Sequence, residues 1–456
     1  MKITAVILAA GQGTRMHSTL PKVLHPVLGR PIVLHALEAA TQATGSLPVL
    51  VVGHAAEQVQ KVTGDAARYV RQEPQLGTAH AVMQAEQLLR GQTDLVLVTA
   101  ADMPLLSAQT LQQIIQTHQG HAGPITLLSA LADERSDFGR VLRFPDRSVE
   151  AVVEVAQATP EQLAIREVNT SIYCFDADWL WEALKRIQLS PKGEYYLTDT
   201  VGLATSEGKS VQALVLKDAR EAIGINTRQH LAEAEAAMRQ RENQAWMLTG
   251  VTMIDPATTY IEKGVVIGPD TTLWPNTFLQ GQTSIGSNCT IGPNTILRDT
   301  RVGDACKILA SVLEGAVVED HVDIGPYGHL RKGAHLASGV HMGNFGEVKD
   351  SYLGPGTKIG HFSYIGNATI GPDVNIGAGT ITCNYDGKKK NPTEIGAGAF
   401  IGSDTMLVAP VKVGEGAKTG AGAVVTKSIP PHTLAVGMPA RAIRRLSPED
   451  PSKNSG

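Results

Sequence analysis

Hydrophobic and polar positions follow two different rhythms along this chain. Over residues 1–226, short apolar runs alternate with longer amphipathic stretches. Ile3–Ala9, Val49–Val52, Leu95–Thr99 and Ile125–Ala130 predict buried strands, and Pro31–Ala43, Thr78–Leu89 and Ser107–His118 predict helices. Strand–helix alternation of this kind predicts a Rossmann-like α/β domain. Its sheet is mostly parallel, helices cover both faces, and ligands sit at the carboxyl ends of the strands. Arg228–Met247 has neither Gly nor Pro and is rich in Ala, Glu and Gln, so it predicts a connecting helix.

From Ile261 the rhythm changes to one aliphatic residue every sixth position. Ile261, Ile267, Leu273, Leu279, Ile285, Ile291 and Leu297 form the first run. Ile324, Leu330, Leu336, Met342 and Val348 resume it after small slips, followed by Leu353, Ile359 and Ile365, then Ile370 and Ile376, and after a break Ile395, Ile401, Leu407 and Val413. A period of six fits neither a helix nor a meander. It predicts a left-handed parallel β-helix of hexapeptide repeats, in which each short strand points one aliphatic side chain into a prism core. Three hexads per coil predict about ten coils between Gly250 and Met438. The rhythm breaks at Thr382–Glu394, around CNYDGKKKNP, and an insertion in a solenoid falls on a surface loop. Asp386-Gly387 suits a turn, and Lys388, Lys389 and Lys390 fit a solvated loop as well as a functional one. The predicted organisation is an α/β domain over 1–226, a linker helix over 227–248, a β-helix over 249–440 and a flexible tail over 441–456.

Composition sharpens that division. Of 46 glycines, 15 lie in residues 1–248 and 31 in 249–456, a shift that marks a domain boundary. Aromatics are only 4%, as expected where a narrow prism has no room for rings. With 43% apolar and 18% charged residues, the chain reads as globular and long enough for two or three domains. A net charge of −4 gives no basic field for nucleic acid. No apolar run approaches the ~20 residues of a membrane helix, and the N-terminus runs into a glycine loop and not into a leader cleavage site. Cys174, Cys289, Cys306 and Cys383 form no CxxC, so a reduced, cytoplasmic chain is expected.

The first strand runs into Leu8-Ala9-Ala10-Gly11-Gln12-Gly13-Thr14-Arg15-Met16, followed by Pro21-Lys22. A small-residue loop at a strand end lets backbone N–H groups approach phosphate oxygens. The string is neither a dinucleotide G-x-G-x-x-G nor a Walker loop. With Arg15 and Lys22 it predicts a cationic phosphate cradle; the plain alternative is a tight turn with solvated basic residues. Asp102 follows the strand Leu95–Ala101, where a ligand-facing carboxylate belongs. Mg²⁺ takes one or two protein oxygens plus substrate phosphates, so Asp102 and Asn226 are candidate ligands. A helix cap at Asp102 and a turn at Asn226 fit the same residues.

Several hexads of the β-helix carry residues a scaffold does not need. They include Arg331, Lys349, His361, Tyr364 and Asn375, with Asn384-Tyr385 in the insertion. His361 follows an Ile-Gly pair and is expected at an exposed corner, where a lone histidine is ordinarily just solvated. Residues about 18 apart form a column on successive coils, and Arg331 to Lys349 is one such step.

LAAGQGTRM…PK, QLGTAHA and the strand ending at Asp102 resemble the nucleoside-triphosphate:sugar-1-phosphate nucleotidyltransferases. The join to a long hexapeptide β-helix resembles the bacterial bifunctional UDP-N-acetylglucosamine pyrophosphorylase/glucosamine-1-phosphate N-acetyltransferases over about residues 1–440. The resemblance implies that Leu8, Ala9, Ala10 and Gly11, with Arg15, face the UTP phosphates, and that Lys22 binds phosphate. It implies that Gln72, Gly77 and Thr78 read uracil, that Gly139, Glu154 and Asn169 hold N-acetylglucosamine, and that Asp102 and Asn226 hold Mg²⁺. Ala100 and Ala101 stand where the family often has an aromatic residue and a glycine, which leaves backbone contacts to the nucleotide. Uridylyl transfer would then rest on positioning, with Arg15 and Lys22 offsetting the developing charge.

In the β-helix the resemblance implies that His361 is a general base, since imidazoles titrate near neutrality. The amine of glucosamine-1-phosphate would attack acetyl-CoA directly, with no role for Cys289, Cys306 or Cys383 as nucleophile. Arg331, Lys349, Tyr364, Asn375 and Lys390 would bind the sugar phosphate. Ala378, Asn384, Tyr385, Ser403 and Ala421 would line the acetyl-CoA groove, with Arg441 of VGMPARAIRR as the candidate late arginine. Acetylation would precede uridylyl transfer, in a cytoplasmic homotrimer that feeds peptidoglycan and lipopolysaccharide synthesis. Its partners would be UTP, acetyl-CoA, glucosamine-1-phosphate and N-acetylglucosamine-1-phosphate, without nucleic acid or membrane. Two other readings compete. One is a monofunctional sugar-nucleotide pyrophosphorylase whose β-helix serves assembly or regulation; the length of the β-helix and the His361/CNYDG constellation argue against it. The other is a nucleotide-sensing scaffold with an inactive first domain, against which Arg15, Lys22, Asp102 and Asn226 argue.

Overall fold

The computed structural model describes residues 1–132 and 138–445, and the chain divides into two compact units, Met1–Met238 and Arg239–Gly456. The first is built on strands β1 (Ile3–Ala9), β2 (Val49–Val52), β3 (Arg68–Arg71), β4 (Leu95–Ala100), β5 (Ile125–Leu131), β6 (Arg140–Arg143), β7 (Val149–Val153), β8 (Glu167–Asp176) and β9 (Val211–Val215). The sheet order is β9-β5-β8-β4-β1-β2-β3, with β6 pairing β8 and β7 pairing β6. Along that path β8 alone is antiparallel to its neighbours. A parallel return needs a crossover of a dozen or more residues, usually helical. Here β8 is reached through the β6–β7 hairpin and the single turn Pro160–Leu163.

Alternation along the buried strands dresses both faces of this sheet. Val6, Val51, Val96 and Val98 point into one core, beneath the helices Ala177–Leu184 and Asp199–Ser206. Ala5, Ile7, Leu50 and Leu97 point into another, beneath Ile32–Thr44 and Ala108–Gln119. The expected helix over 78–89 is two pieces, Thr78–Met83 and Glu86–Leu89. The helix Arg228–Leu248 contributes Ala234 and Met238 to a core of the first unit. In the second unit its Asn243 donates to the carbonyls of Pro256 and Thr259, each at 2.9 Å.

The second unit is a left-handed parallel β-helix of three sheets with 12, 10 and 9 strands. One continuous core of aliphatic side chains runs up its axis, and Leu273, Ile291, Ile308, Ile324, Met342, Ile359, Ile376 and Ile401 succeed one another in a single sheet. The slips in the six-residue rhythm are shortened corners. Ile296 pairs with Val312, 16 residues on, whereas His329 pairs with Glu347, 18 on. Val302, Ile308, Leu313 and Val318 keep the core filled through the slipped region. One feature departs from expectation at the C-terminal end. Ala440–Arg445, which overlaps the expected flexible tail from 441, is a strand antiparallel to Thr433–Gly437. Hydrogen bonding along the hairpin gives those residues a partner that composition did not reveal. The polar tail expected from Ser447 lies outside the described residues.

Candidate active sites

The carboxyl ends of β1 and β4 lie side by side, with Leu8 opposite Ala100. The loop after β1 and Asp102 after β4 therefore open on one cavity of about 610 Å³. Gly13 has φ 64, and a Cβ there would stand 2.6 Å from Cβ of Lys22. Only glycine lets this loop fold so closely onto the lysine. Leu8, Ala9, Ala10, Gly11, Arg15 and Lys22 line the cavity on the β1 side. Gln72, Gly77, Thr78, Ala100, Asp102, Glu154 and Asn226 complete the set of sequence-predicted residues that reach it.

Lys22 organises the floor. Its Nζ donates to Asp102 Oδ2 at 2.5 Å and to Asn226 Oδ1 at 3.2 Å. Asp102 is only 19% exposed. The backbone N–H of Ile225 donates to the Asp102 carbonyl at 2.9 Å, which straps the Gly224–Asn226 turn onto the end of β4. Two protein oxygens thus converge on one cationic atom, a donor set that fits a hard divalent ion completed by phosphates.

Three predicted contacts sit behind the wall. Ala101 is fully buried, and its N–H donates to the carbonyl of Leu8 at 3.0 Å, joining the two strand ends. Asn169 is 2% exposed; its Nδ2 donates to Tyr173 Oη at 2.7 Å and its Oδ1 accepts from the Ser171 N–H at 3.2 Å. Its amide therefore holds Tyr173 and Ser171, which do line the cavity. The Gly139 carbonyl accepts from the Asn169 N–H at 2.8 Å, and a Cβ on Gly139 would lie 3.7 Å from the Glu154 carboxyl carbon.

Sequence reading missed Tyr196 and Thr198, which also line the cavity. The Tyr195 N–H donates to the Leu76 carbonyl at 2.8 Å, and the Leu197 N–H to Thr78 Oγ1 at 3.0 Å. Gly77, with φ 96, lets the chain pass within 2.6 Å of the Tyr195 carbonyl, measured from the position a Cβ would take. Thr198 Oγ1 then donates to Glu154 at 3.1 Å. Burial, with the Glu154 charge nearby, raises the Asp199 pKa. Two adjacent tyrosines in an aromatic-poor chain were the available signal.

In the β-helix, His361, Ala378, Ser403 and Ala421 each follow a glycine at the same corner of successive coils. Rungs there are linked by Gly379 N–H to the Phe362 carbonyl at 2.7 Å and Gly422 N–H to the Ser403 carbonyl at 2.8 Å. His361 is exposed and, among the described residues, has no hydrogen-bond partner. Three histidines earlier in the β-helix could rival it as a base, and each faces a carboxylate: His329 with Glu314 at 3.6 Å, His335 with Glu319 at 2.7 Å and His341 with Asp323 at 3.2 Å. At the far end of the Gly346–Lys349 strand, Lys349 and Lys390 lie 4.0 and 3.9 Å from Asp350. The neighbouring Lys390 first, and then the charge of Arg331, lower the Lys349 pKa. Arg331 is paired with Glu347 at 3.0 Å, and Tyr364 stands next to Glu347 in register.

The insertion reaches this cluster. Asn384 Nδ2 donates to Asn367 Oδ1 at 2.7 Å and approaches Tyr364 Oη at 3.5 Å. Tyr385 and Lys390 pair across the loop. Asp386 accepts from the N–H groups of Lys388 and Lys389, both at 2.8 Å, and from Asn391 Nδ2 at 2.9 Å. Those bonds, the Lys389 N–H first, hold its pKa down at about 2. Asn375 sits apart from this group, in the sheet beside Lys358 and Phe400. Arg441 pairs with Val436 in the closing hairpin. Cys289 and Cys306 are buried, their thiols donating to the carbonyls of Gly303 at 3.1 Å and Glu319 at 3.0 Å.

Residues 5–171 match the MobA-like NTP transferase domain family, and residues 264–299 and 392–427 match the bacterial transferase hexapeptide family of six repeats. Proteins called bifunctional protein GlmU are similar along nearly the whole length. That of Heliobacterium modesticaldum is 46% identical over 436 residues, 95% of either chain. That of Exiguobacterium sibiricum is 46% identical over 433 residues, 95% of this chain and 96% of the other. That of Streptococcus equi subsp. zooepidemicus is 44% identical over 445 residues, 97% of either chain.

Proposed function

The chain belongs to the bifunctional GlmU family, and from that premise we propose that its two transfer reactions run at the two sites just described. The enzyme is a uridylyltransferase and an acetyltransferase. It uses UTP and acetyl-CoA, and acts on N-acetylglucosamine-1-phosphate and glucosamine-1-phosphate. The convergence of Lys22, Asp102 and Asn226 beneath a glycine loop carries the assignment of the first site.

In uridylyl transfer, the phosphate of N-acetylglucosamine-1-phosphate attacks the α-phosphorus of UTP and pyrophosphate leaves. The nucleophile is already an anion, so the chain supplies no base. Gly11 and its neighbours present backbone N–H groups to the phosphates, and Arg15 and Lys22 offset charge as it builds. Gln72, Gly77 and Thr78 orient the base, while Glu154, steadied by Thr198, accepts from a sugar hydroxyl. Asp102 and Asn226 would hold Mg²⁺, which supplies charge neutralisation on the phosphates when bound.

In acetyl transfer, the partnerless imidazole of His361 takes the proton that the amine sheds as it attacks the thioester carbonyl. Arg331, Lys349, Lys390 and Tyr364 bind the sugar phosphate, with Asn375 at the neighbouring sheet. The corner column of Ala378, Ser403 and Ala421 offers backbone groups to acetyl-CoA, beside Asn384 and Tyr385, with Arg441 toward the distal phosphates. The same proposal takes the working enzyme to be a cytoplasmic homotrimer assembled through the β-helix. Supporting that assembly, Tyr327, Phe345 and Phe362 are 60%, 59% and 56% exposed at one corner of successive coils, the first two stacked at 5.1 Å. A row of exposed rings is the kind of surface another copy covers. The deciding assay supplies the full chain with glucosamine-1-phosphate, acetyl-CoA and UTP. Formation of UDP-N-acetylglucosamine and pyrophosphate supports the proposal. Uridylyl transfer without acetylation would leave the β-helix a scaffold.

A further inference from the structure

Asp102 Oδ2 and Asn226 Oδ1 are already engaged. Both accept from Nζ of Lys22, at 2.5 and 3.2 Å, and the lysine and aspartate side chains are 14% and 19% exposed. We propose that the Lys22 ammonium is the resident cation of the uridylyl-transfer site, and that the divalent metal binds by displacing it. This rests on the reading of Asp102 and Asn226 as metal ligands.

A metal that took Asp102 Oδ2 and Asn226 Oδ1 would compete for the two oxygens that the ammonium now engages. Two cations sharing the same two oxygens repel strongly where solvent is largely excluded. One of them must leave, and the structure shows which part of Lys22 can. Its backbone is anchored, because Val23 and Leu24 beside it are buried and Gly13 closes on its Cβ. Beyond Cβ the stem is a flexible four-carbon chain with a compact charge at its end. Gly11 and Arg15 line the same cavity, so nucleotide phosphates seated there would give the released ammonium a new anionic partner. Metal alone must break the Lys22 contacts with no replacement for the lysine, whereas metal arriving with a triphosphate supplies one. The site therefore binds the divalent ion weakly until nucleotide is present, and Lys22 passes from metal surrogate to phosphate ligand.

The test is a Mn²⁺ titration of the nucleotide-free full chain, followed by the electron paramagnetic resonance signal of free Mn²⁺. Lys22→Met should bind about tenfold more tightly than the wild type, since a charge-assisted hydrogen bond no longer opposes the metal. Arg15→Met removes a positive charge from the same cavity without vacating the two oxygens, and should tighten binding far less. Asp102→Asn should weaken binding in both the wild-type and Lys22→Met backgrounds. Tightening below about threefold in Lys22→Met, or equal tightening in Arg15→Met, overturns displacement while loss in Asp102→Asn keeps the ligand assignment. Wild-type affinity in Asp102→Asn sinks the ligand assignment, and displacement with it. Circular dichroism of each variant shows whether the fold survives.

Discussion

Asp102 and His361 lie on different units, so single substitutions should separate the two proposed reactions. Asp102→Ala removes the carboxylate on which Lys22 and the candidate metal converge. Uridylyl transfer should fall to background while acetyl transfer stays within about twofold, the scatter of a distant neutral substitution. Parallel assays on one preparation check this, and equal losses would contradict the two-site arrangement. His361→Ala should reverse the pattern. A general base typically contributes ~10²–10⁴-fold, so acetyl transfer should drop by at least ~10²-fold. Uridylyl transfer from supplied N-acetylglucosamine-1-phosphate should persist. Retention of more than about a tenth of the acetyl-transfer rate would demote His361 to a binding residue. The contrast between His361 and its rivals is tertiary in origin. His329, His335 and His341 carry the same imidazole, but each is committed to a carboxylate one coil away.

Elements transmit the same logic to stability and to loop order. Helix Ala108–Gln119 turns His118 inward, where Nδ1 meets Thr126 Oγ1 of β5 at 3.0 Å. Burial, more than the nearby His121, lowers the His118 pKa from 6.5 to about 4. Between those values the unfolded chain binds a proton that the folded chain refuses, so stability falls as pH drops from 6.5 toward 4. The contribution is complete above that window and spent below it. His118→Gln keeps a hydrogen-bonding group and removes the titration, so its thermal midpoint should vary less with pH across the window. Identical pH profiles for variant and wild type would exclude His118 as the cause. The inserted loop depends in a comparable way on Asp386, which gathers two N–H groups and the Asn391 amide. Asp386→Ala should raise the KM for glucosamine-1-phosphate, because Lys390 and Asn384 lose their shared scaffold. Asp386→Asn retains one acceptor and should be milder, and unchanged KM in both variants would make the loop order incidental.

At the scale of the whole molecule, the prism and the layered sheet have separate cores and should fail separately. Each coil of the prism contacts chiefly its neighbours, so damage at mid-height breaks a continuous stack. Leu330 is fully buried in that axis, and its truncation to Ala should cost ~2–5 kcal/mol. Brief heating of Leu330→Ala should therefore abolish acetyl transfer at a temperature where uridylyl transfer survives. Loss of both activities at one temperature would mean that the units unfold as one.

The rhythm of side chains sufficed for the architecture. A six-residue aliphatic repeat has one packing solution, and β1, β2, β4 and β5 were legible because both of their faces are apolar. That the glycine loop, Lys22 and Asp102 share one cavity was legible because they stand close to strand ends. The antiparallel β8 and the β6–β7 hairpin were not, because pairing direction depends on what the intervening chain leaves uncovered. Tyr196 and Thr198 were missed because hydrogen bonds to Leu76 and Thr78, more than a hundred residues away in sequence, bring them to the cavity. Ala101 and Asn169 lie near the site in sequence, yet one joins two strand ends and the other holds Tyr173. The slips at Val302–Val318 could be read only once sheet pairing showed which corners had shortened. Local periodicity decides which side chains must be buried, because that burial is set by neighbours along the strand. Which polar groups meet is decided by tertiary closure, because Lys22, Asp102 and Asn226 share one charge only after three distant loops are packed together.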